Sequence, residues 1–539
     1  MMTGLRLLLV LVLLHLATAV PLPWEPAAGF ADWCRGSVDF ALLLAGICLL
    51  AQCGARLLPP ALVAALLTLV VLLYRVGETL MPVFYGKAFE PWIDLLEVPG
   101  LVHLLTHRHP PGVQFALHAA AVLGTLLLLG GLAWAWRLVG VAARRPRFAG
   151  ACLAGAQLLL VAAWCTREIS GGKVTLLRPC MAQAASDDLV ATLRTRRWHG
   201  DAVVGERVRA AADELAQTPQ DLGALRGVDL YFLIVESYGR GILGNQARAT
   251  HVAWLHEHER ALQAAGWESA AGWIAPSVRG GGSSLAHAEL LSGIDVEDRR
   301  IFDALLASSV RTLAAIARDA GYHTLDVQPA MPREWPEAKS LVYVEDMFFQ
   351  AFRYQGRPYH WGVMPDQYAL AQLLADVVGK REQPLFVEFV GVTSHAPFAM
   401  VPPYYDDWSR VLAPDAFTGP PAAQWDISWT SYAGHPQVIE AYLGTIRYCL
   451  RTMFGFAQQL RRPSLVVVVG DHQPPLEFHE RSERVFDVPI HVLTNRPGLL
   501  APLLGQGLEP GLVPAAEGAS FEASRFLFRF LRAYGSKGK

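Results

Sequence analysis

The run Asp229-Leu230-Tyr231-Phe232-Leu233-Ile234-Val235-Glu236-Ser237-Tyr238-Gly239 is an unbroken apolar stretch that ends on a carboxylate and a tight turn. A second run, Leu465-Val466-Val467-Val468-Val469-Gly470-Asp471-His472, ends the same way far downstream. Continuous apolar strands without alternation belong to sheets covered on both faces, which are mostly parallel. In such sheets ligands gather beyond the carboxyl ends of the strands. Glu236, Asp471 and His472 are therefore expected to meet at one sheet edge. Two carboxylates and an imidazole suit Zn²⁺, Mn²⁺ or a similar divalent ion. Taken singly, each is equally an ordinary polar residue closing a strand; the repeated placement is what argues for a composite site.

Outward from these runs, further strands are predicted over Tyr322–Val327, Leu385–Val392 and Val488–Leu493. Helical patterns occupy Ala249–Ala265, Ser308–Ala320, Tyr368–Val378, Pro436–Leu460 and Phe521–Tyr534. This alternation predicts an α/β sandwich over 227–539. His395 falls just past Leu385–Val392, at the same expected edge. The Pro-rich stretch Val401–Pro421 reads as an irregular surface loop. His251, His256 and His258 lack metalloprotease spacing and read as a surface cluster. His360 and His479-Glu480 are possible pocket residues by position alone.

The first 165 residues differ in kind. The 539-residue chain is 53% hydrophobic and only 17% charged, against about a quarter charged in average proteins, and the apolar excess lies at the N-terminal end. Candidate membrane spans are Leu5–Val20, Val38–Cys53, Pro60–Val76, Val113–Val139 and Phe148–Cys165. Arg6 and Ala17-Thr18-Ala19 also fit a cleavable signal, but the spans that follow favour a retained helix. Arg137, Arg144, Arg145 and Arg147 place the loop between the fourth and fifth spans in the cytoplasm. Five crossings then put the globular part outside, with 166–226 as a helical juxtamembrane connector. The net charge of −2 carries no polybasic footprint for nucleic acid. The 7 cysteines show no CxxC spacing, and one pairing, Cys180–Cys449, is conceivable outside the cytoplasm.

The segment Arg279-Gly280-Gly281-Gly282-Ser283-Ser284 opens a helix. Glycines let backbone amides approach a phosphate, and a helix N-terminus favours an anion. Ser283 and Ser284 are each an N-cap candidate and a candidate nucleophile.

In order, Val235-Glu236-Ser237-Tyr238-Gly239, Gly281-Gly282-Ser283, Ser394-His395-Ala396-Pro397-Phe398 and Gly470-Asp471-His472 resemble the sulfatase-like branch of the alkaline phosphatase superfamily. Within it the chain looks most like lipoteichoic acid synthases and phosphoglycerol transferases of periplasmic glucans. The resemblance covers roughly 225–500, and more loosely the N-terminal helices. It implies a fold of N-terminal transmembrane helices, about five, followed by an α/β sandwich of alkaline-phosphatase/sulfatase type. It implies one divalent ion (Mn, Mg or Zn) on Glu236, Asp471, His472 and the Ser283 hydroxyl, with His395 on the transferred phosphate or leaving oxygen. Arg333 and Trp335 are the nearest candidates for the family's head-group pair, in reversed order, and Ser284 for a substrate contact. The family's lipoteichoic acid synthases use threonine where this chain has Ser283-Ser284; Ser283 directly follows the glycines.

The implied reaction moves a phosphoglycerol-type head group from an anionic phospholipid, phosphatidylglycerol, to an envelope glycan at the outer face of a bacterial inner membrane. Rival readings are a phosphoethanolamine transferase, a phosphodiester hydrolase, and a catalytically silent membrane scaffold. The few external cysteines argue against the first. Sulfate-ester hydrolysis is disfavoured, because the serines lack the C/S-x-P-x-R context for formylglycine.

Overall fold

The computed structural model describes residues 4–536 except 20–35, 85–88, 90, 96–97, 99–101, 103–105, 107–109, 170–176, 179–200, 244–247, 279, 332–335, 360–363, 428–436 and 475–485. Two compact units emerge, Met1–Pro82 with Lys87–Arg197, and Val83–Gly86 with Trp198–Lys539.

The first unit is helical. Helices α1 (Gly4–Ala19), α2 (Val38–Gln52), α3 (Leu58–Phe84), α4 (Pro111–Ala143) and α5 (Pro146–Ile169) form over the five apolar runs. Ser37 caps α2 by accepting from the Phe40 amide, and Pro146 at the start of α5 separates it from α4. Two segments, Leu58–Thr79 and Pro111–Ala143, are long and apolar enough to cross a membrane; Gly4–Thr18, Val38–Gln52 and Pro146–Val161 are shorter apolar helices. Large apolar side chains face outward, among them Leu127 at 67% and Leu158 at 70% exposure. Inside, Trp136 Nε1 donates to Thr68 Oγ1 at 2.9 Å, and the Arg75 guanidinium lies beside Asp39 and Glu78.

The second unit is an α/β sandwich. After α6 (Asp201–Ala216) come strands β1 (Asp229–Val235), β2 (Glu268–Ala275), β3 (His323–Gln328), β4 (Glu345–Phe348), β5 (Leu385–Val390), β6 (Ser464–Gly470), β7 (Val488–Thr494), β8 (Leu508–Pro510) and β9 (Ser520–Glu522). Among the described residues they form one sheet in the order β8-β2-β7-β6-β1-β5-β3-β4, with β9 also on β2. From β6 to β4 the pairing is parallel; β7 runs antiparallel to both neighbours. Alternate residues of β1 go to opposite faces and both faces are buried. Tyr231, Leu233 and Val235 pack under α7 (Arg248–Ala264), α11 (Asp366–Leu373) and α12 (Val438–Gln459). Leu230, Phe232 and Ile234 pack under α8 (Ser283–Ser292), α9 (Arg299–Leu306), α10 (Leu313–Asp319) and α13 (Arg525–Tyr534). Two-sided burial is the reason the run is apolar throughout.

Three expectations need correction. The stretch after Val401 is not merely a surface loop: Val411 and Phe417 are fully buried, and Met400–Val401 pairs with Ala423–Gln424. His251 is no surface residue but is buried at 0% exposure, packed between Tyr238 and Trp254. Cys449 is a free, buried thiol whose Sγ donates to Asp366, which removes the Cys180–Cys449 disulfide; Cys180 itself lies outside the described residues.

Candidate metal centre and nucleophile

Register builds the site. Gly470 pairs with Val235, the last residue of β1, so the next residues on each strand, Asp471 and Glu236, leave the sheet side by side. A Cβ on Gly470 would collide with the carbonyl of Tyr238, so only glycine lets the two turns approach this closely. β5 ends one strand over, and the loop after it is pinned when Ser394 Oγ donates to the Glu236 carbonyl at 2.6 Å. On the far side of β6, the chain leaves β2 through Ser277. There Glu289 of α8 accepts from both the Ser277 amide and hydroxyl. Gly281 and Gly282, both at positive φ, then turn the chain into α8.

Gly282, at φ 77°, occupies the N-cap position and makes no side-chain cap. The capping role considered for Ser283 and Ser284 is therefore wrong, and the Ser283 hydroxyl is spent elsewhere. Ser283 Oγ donates to Glu236 Oε2 at 3.1 Å and lies 3.2 Å from His472 Nε2. Ser284, one residue further around the helix, is half-buried. Ligand atoms of Glu236, Asp471 and His472 all lie within 4.8 Å of one another. His472 Nε2 is 3.3 Å from Asp471 Oδ2 and 3.5 Å from Glu236 Oε1.

These residues fit a divalent ion. His472 Nδ1 donates to the Gln473 carbonyl at 2.8 Å, which turns the lone pair of Nε2 toward the carboxylates, as in many metal-ligating histidines. Asp471 Oδ1 accepts from the Ser237 and His472 amides at 2.7 Å each. Its other oxygen, Oδ2, is buried without a hydrogen bond. A buried, unpaired carboxylate oxygen costs several kcal/mol, roughly, unless a cation compensates it. Burial, and then the neighbouring Glu236, push the Asp471 carboxyl up to about 6. For His472 burial opposes the charged form, yet the Asp471 and Glu236 carboxylates prevail and raise its pKa. Two anionic groups crowded around one imidazole thus create a demand for positive charge.

His395 is half-buried, and its Nδ1 donates to the Ala396 carbonyl at 2.8 Å. Its loop is held by Asp366, which accepts from the Val392 and Thr393 amides, while Thr393 Oγ1 accepts from the Asp366 amide. Arg333 and Trp335, along with His360, His479 and Glu480, lie outside the described residues. Sequence reasoning passed over His287. One turn after Ser283 on α8, it is buried with Nδ1 3.8 Å from Glu388 Oε1, and burial lowers its pKa to about 4 despite the nearby Asp471. The i, i+4 spacing from Ser283 was the available signal.

Residues 241–495 match the family model described as Sulfatase, a span that contains Ser283, His395, Asp471 and His472 and begins just after Glu236. No curated protein matches the chain. Among solved structures, the lipoteichoic acid synthase of Listeria monocytogenes is 12% identical with a TM-score of 0.38, covering 57% of this chain and 73% of that one. The Streptococcus pyogenes phosphoglycerol transferase, in complex with sn-glycerol-1-phosphate, is 12% identical with a TM-score of 0.38, covering 62% and 81%. The phosphonate monoester hydrolase of Silicibacter pomeroyi is 17% identical with a TM-score of 0.32, covering 57% and 73%. The Sulfatase family model thus matches a segment that lies within the α/β unit and makes up a little under half of the chain.

Proposed function

We propose that the protein is a membrane-anchored, metal-dependent transferase that moves a phosphoglycerol-type head group from an anionic phospholipid, through a phospho-serine, to an envelope glycan. The observation that carries this reading is Ser283 Oγ within hydrogen-bond distance of both Glu236 and His472 at a helix N-terminus. Glu236, Asp471 and His472 would hold the ion, which when bound supplies Lewis acidity that makes the adjacent hydroxyl more acidic. Manganese, magnesium and zinc all accept this ligand set.

In the first step Ser283 Oγ attacks the phosphorus, forming an O–P bond as the bond to the diacylglycerol oxygen breaks. The hydroxyl proton already points at Glu236 Oε2. His395 protonates the departing oxygen, and the N-terminus of α8 stabilises charge on the non-bridging oxygens. In the second step a glycan hydroxyl attacks the same phosphorus and gives its proton to His395, while the Ser283 O–P bond breaks and Ser283 Oγ takes a proton back from Glu236. The apolar helices keep the enzyme where its diacylglycerol product is soluble. Five crossings, with the catalytic unit on the outer face of a bacterial inner membrane, complete the reading. Arg333 and Trp335 are assigned to the head group and Ser284 to a substrate contact.

Incubating the purified protein with phospholipids labelled in the head group tests this. Label from phosphatidylglycerol should reach water-soluble or glycan material only with a divalent ion present. Transfer from phosphatidylethanolamine instead would favour the phosphoethanolamine reading, and transfer to water alone the hydrolase.

A further inference from the structure

Ser237 follows Glu236 and sits at φ 59°, in the left-handed region that a non-glycine residue occupies only at a cost. Its surroundings show what this conformation achieves. Ser237 Oγ donates to Glu236 Oε1 at 2.8 Å, while its amide donates to Asp471 Oδ1 at 2.7 Å. One residue therefore holds both carboxylates of the centre, one with its side chain and the other with its backbone. Each is held by a single oxygen. Glu236 Oε2 remains turned to Ser283, and Asp471 Oδ2 remains without a hydrogen bond. In extended, β1-type backbone the Ser237 amide would point along the sheet and its side chain perpendicular to it, a different mutual orientation from the one that gives this double grip.

The turn is itself clamped from α12. Tyr442 OH donates to the Ser237 carbonyl at 2.7 Å and accepts from the Gly239 amide at 3.3 Å. Tyr442 is fully buried, and Ser394 fixes the preceding carbonyl of Glu236 from the loop after β5. Three separate segments thus converge on one dipeptide. At 1% exposure Ser237 is shut off from any substrate, so its hydroxyl is not a second nucleophile.

We propose that Ser237 is a positioning residue that sets the orientation of both metal-binding carboxylates, with Tyr442 holding it in its left-handed conformation. This rests on the metal-centre reading above. It extends that reading by assigning metal affinity to a group that never touches the ion.

Backbone strain supplies a clean separation of roles. Ser237→Gly keeps the amide and prefers positive φ, so it removes the hydroxyl grip on Glu236 without harming the fold. Ser237→Ala removes the same hydroxyl but retains the strain. The measurement is calorimetric Mn²⁺ binding to the full-length protein in detergent, beside the melting temperature of the metal-free form. Both variants should bind Mn²⁺ about 10–100-fold more weakly, the range for lost partners behind metal ligands. The melting temperature of the glycine variant should equal or exceed that of the parent. Tyr442→Phe should weaken binding in the same direction. Mn²⁺ affinity of Ser237→Gly within twofold of the parent would overturn the inference. So would loss of binding in the alanine variant alone, which would assign the effect to strain. Absence of Mn²⁺ binding by the unaltered protein would sink the metal-centre reading as well, an outcome distinct from either.

Discussion

On the proposed reading Ser283 is the nucleophile, and its hydroxyl is the smallest group whose loss tests that reading. Ser283→Ala should lower head-group transfer by about 1,000-fold or more, because it removes the proposed nucleophile. Mn²⁺ binding should persist, since Glu236, Asp471 and His472 remain; radiolabel release and calorimetry on the same preparation read both. Asp471 gives a pH signature. Its carboxyl is raised to about 6 by burial and Glu236, so a proton competes with the ion, and divalent-ion affinity should fall as pH drops through about 6. Asp471→Asn should abolish that dependence along with most of the affinity. Glu236, Asp471, His472 and Ser283 were legible in the sequence because each follows a strand or a glycine turn in the linear chain. Ser237 and Tyr442 were not, because a left-handed turn and a hydrogen bond between residues 205 positions apart leave no local pattern. His251 was misread for the same reason, as its polar helical context hides packing against Tyr238.

At the scale of elements, the sheet carries a second cost besides the metal centre. Register places Glu388 of β5 opposite Asp326 of β3, and Asp326 opposite Asp346 of β4. Like charges directly opposite one another destabilise a sheet. Burial pushes Glu388 up to about 7, and burial with the Glu388 charge pushes Asp326 well above the usual carboxylate range. Tyr343 OH donates to Glu388 Oε2 and offsets only part of this. With its folded pKa raised, Glu388 binds a proton that the unfolded chain has already released. Its contribution to stability is therefore complete below about 4.5 and is lost as pH rises through about 7. Denaturant titrations across that range should show stability falling with pH, and Glu388→Gln should flatten the slope. Gly470→Ala is the complementary test of packing. The new methyl group meets the Tyr238 carbonyl, and destabilisation of about 1–3 kcal/mol is expected, measured by the same titrations. Strands β1 and β6 were legible because two-sided burial demands an apolar run. Strand β2 was not, because Ser269-Ala270-Ala271-Gly272 has little intrinsic strand preference. It is drawn into the sheet by β7 and by the close backbone of Gly507 against Gly272.

At the scale of the whole molecule, composition alone separated a greasy helical unit from an α/β unit, because the helical unit turns large apolar side chains outward while the α/β unit keeps its apolar runs in a covered sheet. The number of crossings was less accessible, since α1 and α2 are short for a bilayer and helix length is set by packing as well as by hydropathy. On the proposed reading the chain should stay with membranes after alkaline extraction, and protease added to intact spheroplasts should degrade the α/β unit. Protection of that unit would reverse the proposed orientation. The central claim, however, concerns one point in space. Crystals of the protein grown with Mn²⁺ and measured at the manganese absorption edge should show one anomalous peak within about 2.0–2.3 Å of Glu236, Asp471 and His472. The same peak should lie beside Ser283 Oγ. A peak elsewhere, or Glu236 and Asp471 turned away from any ion, would contradict the account.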